Sequence, residues 1–410
     1  MKGTRLLPAI TMTLAGLATP PVFAQLTLEQ RVEQLERENA RQAAQIAEQN
    51  QQLQGAPQRV GKLEDALAAG EGRGWFEGIE IGGVIEVEAS YLDPYQGDSE
   101  SDLVLATFEL GIASQVNDWV GIEASLLYEE DDTDLEVDLA FINIYNPDVS
   151  PVFFTAGQFY VPFGAYETNL VSDPLTLEIG EARETAAQLG FIHEGFSGSL
   201  YAFNGDNKVD GKNQIKSWGA NLSYALETDS YRISAGAGYI NDLGDSDTLQ
   251  DSIAENRQAI YDRLIEGEDP RARWFSTDPN ERTGGWTANL SLGVGGVNVI
   301  AEYLSASERF EFPSLAYRNK GAEPAAWNIE AGYSFPVFGR DTVLAIAYQG
   351  TEEAVALELP ERSWLFGWSV EVFDNTALSF EYRQDSDYGE HDGGSGKNAS
   401  ALVAQLAVEF

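Results

Sequence analysis

Cysteine is absent from the 410 residues, and histidine occurs only twice. That excludes a disulfide framework, a thiol nucleophile and a Cys-ligated metal site. His193 and His391 lie far apart and no Ser-His arrangement stands out, so the chain reads as a non-enzyme with no catalytic residue, cofactor or metal. Basic residues are scarce too: 25 Lys and Arg face 66 Asp and Glu, for a net charge of −41. Phosphates would be repelled, which argues against nucleic acid as a partner. The acidity suits a cation-attracting pore, and equally a general adaptation to salt. Long hydrophobic runs are missing: after residue 24 nothing approaches about twenty unbroken apolar residues, so no transmembrane helix is expected. Yet 40 glycines and 11% aromatics are too many for a disordered acidic polymer.

What is present changes character along the chain. Lys2 and Arg5 precede an apolar run from Leu6 to Leu17, then Pro20, Pro21 and Val22-Phe23-Ala24. This pattern predicts a secretory leader over 1–24. Over 25–54, Val32, Asn39, Ile46 and Leu53 recur seven apart, with Leu28, Leu35, Gln42 and Gln49 as the second seam. That spacing predicts a short periplasmic coiled coil in which Asn39 fixes register and partner number. With half its seam polar it would assist a homotrimer held together elsewhere; a single exposed spacer helix is the alternative. Residues 55–74 read as a linker with a short helix, Val60 to Leu67, closed by the glycines between Gly70 and Gly74.

From Trp75 the period becomes two. Ile85, Val87 and Ala89 alternate with Glu86 and Glu88, and Leu135, Val137, Leu139 and Phe141 with Asp134, Glu136 and Asp138. Trp218 to Tyr224, Trp286 to Leu292 and Trp327 to Phe335 repeat the pattern. The connections alternate short and long, which nothing in a soluble sandwich imposes but outer-membrane barrels show. Leu402, Ala404, Leu406, Val408 and Phe410 end the chain on an aromatic, resembling the signal read by the barrel assembly machinery. The expected fold is all-β: over 75–410, a transmembrane antiparallel β-barrel of about sixteen strands around a water-filled lumen. Tyr91, Trp119, Tyr128, Tyr145, Tyr239, Trp368 and Tyr382, with Trp75, fall near strand ends, as interfacial girdles against outer-membrane lipid and lipopolysaccharide require.

One connection stands apart. After the strand Phe153 to Tyr160, a stretch from Val161 to Arg183 runs through prolines and acids with no regular period. A long irregular connection inside an ordered domain is usually functional. It is expected to fold into the barrel and narrow the hole; an external cover is the alternative. The constriction is expected to carry Glu167, Asp173, Glu178, Glu181 and Glu184 beside Arg183. Lumen-facing candidates on the wall are Glu86, Glu88, Glu123, Glu136, Asp138, Glu330 and Glu381, opposed by Arg232 and Arg383. Acids facing bases across a constriction set up a transverse field that orients charged solutes. Asp206 to Gly211 and the acid-rich tips Glu129 to Asp134 and Asp242 to Asp251 read as solvated turns and loops.

Several stretches resemble the LbtU family of siderophore porins. They are Leu127-Tyr-Glu-Glu-Asp-Asp-Thr133 with Leu135-Glu-Val-Asp138, Gly157-Gln-Phe-Tyr-Val-Pro-Phe-Gly164, Glu167-Thr-Asn169, Ser172-Asp-Pro-Leu-Thr-Leu-Glu178, Gly238-Tyr-Ile-Asn241 with Asp245-Ser-Asp247, and Phe373-Asp-Asn-Thr376 with Glu381-Tyr382. The resemblance covers nearly the whole barrel. It implies uptake of a ferric siderophore of carboxylate type across the outer membrane, without an energised plug. The Gly157 to Gly164 segment is also similar to phosphate-selective porins. A general or phosphate-selective porin is therefore the first alternative, and a structural outer-membrane protein tethering periplasmic partners through its coiled coil the second.

Overall fold

A computed structural model describes residues 78–130, 133–228 and 230–410. The leader, the heptad segment, the linker and Trp75 lie outside the described residues.

The strands are β1 (Ile79–Asp93), β2 (Glu100–Gln115), β3 (Val120–Glu129), β4 (Thr133–Ile144), β5 (Val152–Tyr160), β6 (Arg183–His193), β7 (Phe196–Phe203), β8 (Ser217–Glu227) and β9 (Tyr231–Ile240). They continue as β10 (Gly285–Val294), β11 (Val297–Ala306), β12 (Ala316–Tyr317), β13 (Lys320–Gly321), β14 (Ala325–Val337), β15 (Arg340–Glu352), β16 (Arg362–Phe373), β17 (Thr376–Ser386) and β18 (Asn398–Glu409). β12 and β13 form a small ribbon of their own; the other sixteen close into one ring. Closure runs from Val84↔Glu409 to Asp93↔Ser400, and Phe410 exchanges backbone hydrogen bonds with Gly83 at 3.0 and 3.1 Å.

The two-residue rhythm paints the two faces as expected. Ile85, Val87, Trp218, Leu222, Trp286, Leu290, Ile329, Tyr333, Leu402 and Leu406 all point outward and are exposed. The apolar faces do not meet in a shared core, which removes the sandwich. Near the long-loop ends the outward aromatics touch one another. Trp218 meets Tyr239, Trp286 meets Tyr303, Trp327 meets Tyr348 and Tyr348 meets Trp364, with ring centroids 4.4 to 5.5 Å apart.

β4 departs from the expected alternation. Its ladder with β3 jumps from Ser125↔Leu139 to Leu126↔Val137, so Asp138 is the extra residue of a bulge. Leu135 and Val137 face outward, but Leu139 and Phe141, expected on the same face, pack inward on buried residues. Gln158 Nε2 fills the gap, donating to the Val137 and Asp138 carbonyls at 2.7 and 3.1 Å.

At one end the connections are tight. Glu194-Gly195 and Phe338-Gly339 are left-handed at both central positions, with φ of 49°, 84°, 52° and 80°. Those values suit the hairpin turns that match strand twist. β14 runs on through Pro336 and Val337, past the alternating stretch that ends at Phe335. At the other end lie 94–99, 161–182, 204–216, 241–284, 307–324, 353–361 and 387–397. Two of these contain helices that the sequence did not suggest: α1 (Leu175–Gly180) and the 20-residue α2 (Asp247–Glu266). α2 hides because only Leu249, Ile253 and Arg257 are buried, a stripe one residue wide whose third member is charged.

Arg257 is 2% exposed and ties α2 to its neighbours. It donates to Glu311 Oε2 at 3.2 Å, Ser314 Oγ at 2.8 Å and the Ser276 carbonyl at 3.1 Å, and it lies 5.7 Å from the Phe275 ring. Arg257→Ala is predicted to cost the loops 241–284 and 307–324 about 3 kcal/mol and leave the ring intact. Limited proteolysis would show faster cleavage in both loops with the barrel still folded on an unheated gel. Equal cleavage in variant and parent would mean that Arg257 is no clasp.

Candidate functional site

The connection 161–182 folds into the barrel. At its root Val161 N donates to the Ala182 carbonyl at 3.0 Å, closing the entry onto the exit. From there it crosses to the opposite wall and lies along it. Glu302 on β11 accepts Ala165 N at 2.8 Å, Tyr166 N at 2.9 Å and Thr176 Oγ1 at 3.1 Å. Glu330 on β14 accepts Asn169 N and Thr168 Oγ1, both at 2.7 Å, and Asn169 Nδ2 at 2.6 Å. Glu381 on β17 accepts Val171 N at 2.8 Å, Ser172 N at 3.1 Å and Ser172 Oγ. Gln349 on β15 takes Leu175 N at 2.9 Å.

The wall makes room where the loop presses on it. A Cβ at Gly238 would sit 2.0 Å from the Phe163 carbonyl oxygen, and one at Gly367 would sit 2.5 Å from Leu170 Cδ2. The other side of the loop is apolar. Phe163, Leu175 and Ile179 share a buried cluster with Phe203, Ile240 and Leu304 of the wall. Leu243, Leu249, Ile253, Phe310, Leu315 and Leu357 bring the outer loops into the same cluster. The interior is therefore not simply water-lined, as the strand count alone suggested. Part of it is a dry body built from loops.

A second group forms where the loop rejoins the wall. Arg183 and Glu184, expected in the loop, are the first residues of β6. The Arg183 guanidinium bonds Glu136 and lies 3.3 Å from Asp138 Oδ1. Asp138 is 0% exposed and also accepts Tyr160 Oη at 2.7 Å and Ser125 Oγ at 3.1 Å. Asp138 keeps the inward side that alternation with Val137 gives it, and the bulge brings Leu139 and Phe141 to the same side. Glu136, Arg183, Asp173 and Glu181 line a cavity of about 220 Å³ together with Glu129, Asp206, Asp247 and Asp251.

The other expected residues scatter. Glu167 is half-buried in the loop between its Glu302 and Glu330 contacts, and Glu178 is half-buried on α1. Glu184 is buried on β6. Glu86 and Glu88 face inward on β1, where Gln405 Nε2 donates to Glu88 at 2.8 Å, and Glu123 faces inward on β3. Glu330 and Glu381 do face inward but are covered by the loop rather than open to solute. Arg232 sits at the short-turn end of β9 opposite Gly293, and Arg383 lies 2.9 Å from Asp385 on its own strand. Arg183, at the end of the loop, is the basic residue bonded to Glu136. Glu302 and Gln349 were missed. The signal was available for Glu302, a lone acid between Ala301 and Tyr303 in an otherwise outward-apolar strand.

At the rim, the loop carrying α2 is rooted on two buried acids. Asp242 and Asp245 are both 0% exposed. Asp245 accepts Asn207 N at 2.9 Å and Ser217 Oγ at 2.7 Å; Asp242 accepts Gly244 N at 3.2 Å and faces Arg282 Nε at 3.5 Å. Burial pushes Asp242 well above the usual carboxylate range, and pushes Asp245 up to about 6 against the pull of its Ser217 and Asn207 hydrogen bonds.

No family model matches the chain. It is 28% identical over 363 residues to a UPF0422 protein of Legionella pneumophila, strain Philadelphia 1, covering 81% of this chain and 66% of the relative. A UPF0422 protein of Coxiella burnetii is 27% identical over 340 residues, covering 80% and 69%. The chain thus spans 66% of the length of the Legionella relative. Among solved structures it superposes on Pseudomonas putida OprB with a TM-score of 0.54 at 10% identity, covering 82% of this chain and 94% of that one. The outer membrane channel DcaP of Acinetobacter baumannii gives 0.52 at 12% identity, covering 81% and 97%. Salmonella typhi OmpF in complex with daunomycin gives 0.51 at 14%, covering 81% and 97%. The fold is that of the sixteen-strand porin barrels.

The rim acids carry a pH dependence with a definite sign. Asp245 titrates near 6 when folded, against 3.8 for an unperturbed aspartate. Its contribution is complete below the lower value and is lost as pH rises through the upper one. The groups facing the pair are Asp206, Asp247, Glu184 and Arg282. Hydrogen-exchange protection across 247–266, taken as the ratio of intrinsic to observed rate, is predicted to be greater at about pH 5 than at about pH 8, with Asp245→Asn reducing the difference. Protection that grows with pH would refute this.

Proposed function

We propose that the protein is a porin-type channel of the bacterial outer membrane, narrowed by its own loop 161–182 and favouring cations. The observation that carries this is the inward loop: an irregular segment laid across the inside of a closed ring and fastened to the far wall. A ring with an outward apolar band and no free edge suits a bilayer, since strand pairs with strand all the way round. The short turns then face the periplasm, and the outward aromatics meet lipid and lipopolysaccharide. The terminal Phe410 would serve the barrel assembly machinery, and the heptad segment would support a homotrimer.

The cation preference follows from charge placement. Glu86, Glu88 and Glu123 face inward, and the cavity at the loop's return holds many carboxylates around Arg183. A ferric carboxylate siderophore, the cargo implied by the family resemblance, is an anion and would meet repulsion here. The acids therefore favour the general porin reading over that cargo, and the scarcity of basic residues speaks against phosphate.

Planar-bilayer reversal potentials in a salt gradient test the proposal. The parent protein is predicted to be cation-selective. Arg183→Ala, which removes the guanidinium beside Glu136 and Asp138, is predicted to shift the potential further toward the cation limit. An anion-selective parent would overturn the charge argument, and absence of current would overturn the channel. A ferric carboxylate chelate that carries or blocks current at low concentration would restore the siderophore cargo.

A further inference from the structure

Glu302, Glu330 and Glu381 are 5%, 1% and 2% exposed, and among the described residues no Lys or Arg pairs with any of them. Their charge is met by loop donors, with Thr287 Oγ1 adding a contact to Glu302 at 3.3 Å. An ionised carboxylate is acceptor-only, and burying one without donors is costly. The main donors arrive in couples spaced three residues apart: Ala165 with Tyr166, Thr168 with Asn169, Val171 with Ser172. Neighbouring amides turned to one side form a concavity suited to an anion. The couples meet β11, β14 and β17 in that order. One register satisfies all three glutamates, and a slip by one residue breaks all three attachments.

We propose that Glu302, Glu330 and Glu381 are positioning residues that set the width of the passage. They do so by fixing the register of residues 165–172 on the far wall, which also fixes where Glu167 stands. This rests on the channel reading. The carboxylate is needed rather than the amide, because glutamine offers one acceptor oxygen and turns an NH2 toward the loop's own N–H groups. Losing one such charge-assisted acceptor raises the population of displaced loop about tenfold.

The test uses the full chain in planar bilayers with Glu302→Gln, Glu330→Gln and Glu381→Gln, singly and as the last pair together. Single-channel conductance is expected to rise and to fluctuate more, while the heat needed to unfold the barrel on a gel stays at the parent value. Because the chain has no cysteine, Leu170→Cys with Gly367→Cys adds a clean cross-link between loop and wall. Oxidising that pair in the Glu381→Gln background is expected to return conductance to the parent value, and reduction to release it. Parent-like conductance in every glutamine variant, or a rise that the cross-link does not reverse, would overturn the proposal. If the parent itself carries no current, the channel reading fails, and the attachment is still judged by the rate of cross-linking. A cross-link that forms more slowly in the Glu381→Gln background than when Glu381 is kept upholds the attachment, and equal rates reject it.

Discussion

The pairing of β1 with β18 is the constraint on which everything else depends. A strand presents a row of amide donors and acceptors, and an open sheet leaves one such row unpaired at each edge. Here the ladder runs round without a break, and Phe410 extends the seam by bonding Gly83. With strand paired to strand all the way round, the outer surface has no open edge of polar backbone left to hydrate. Leucine, isoleucine and tryptophan can then cover it. The same alternation forces the inner positions to be polar or small, so one backbone arrangement fixes both surfaces.

Closing that many strands creates a second problem. The interior is too wide for wall side chains to meet across it. The chain fills part of the gap with irregular backbone, whose amides need partners of their own. The wall supplies them as carboxylates: Glu302, Glu330 and Glu381 take amides that a helix or sheet would otherwise have satisfied. The loop's other side is covered by Leu243, Leu249, Ile253, Phe310 and Leu315 from the outer loops. Loop and outer connections are thus one packed body on one part of the wall. The polar residues of β1 and β3 face inward elsewhere on the ring.

The features that sequence made visible are the periodic ones. Alternation over strands such as Trp286 to Leu292, the short-then-long rhythm of connections and the alternating final strand are each repeated, so a single irregularity does not hide them. The inward loop was legible for a different reason: its length and lack of period left it no place in a sheet. What stayed hidden is non-repeating. The Asp138 bulge inserts one residue and flips Leu139 and Phe141, and no local residue type announces it. α2 carries its buried stripe on Leu249, Ile253 and Arg257, too narrow and too charged to read as amphipathic. The role of Glu302, Glu330 and Glu381 depends on contacts between residues some 126 to 210 positions apart, which no spacing rule reaches.

The acids around the loop and the rim therefore fall into two groups with opposite electrostatic meaning. Glu302, Glu330 and Glu381 are spent on the loop's amides, and Asp242 and Asp245 on the rim; covered by protein and met by donors, they project little field into any passage. Glu136, Asp173 and Glu181 instead line a cavity beside a guanidinium already bonded to Glu136. A field falls off within about ten ångströms in salt water and persists where low-dielectric walls confine it. The net charge of −41 is then a poor guide to what a passing solute feels. The local balance around Arg183 matters more. That balance rests on two local features: the bulge at Asp138, which leaves it inward beside Leu139 and Phe141, and the start of β6 at Arg183.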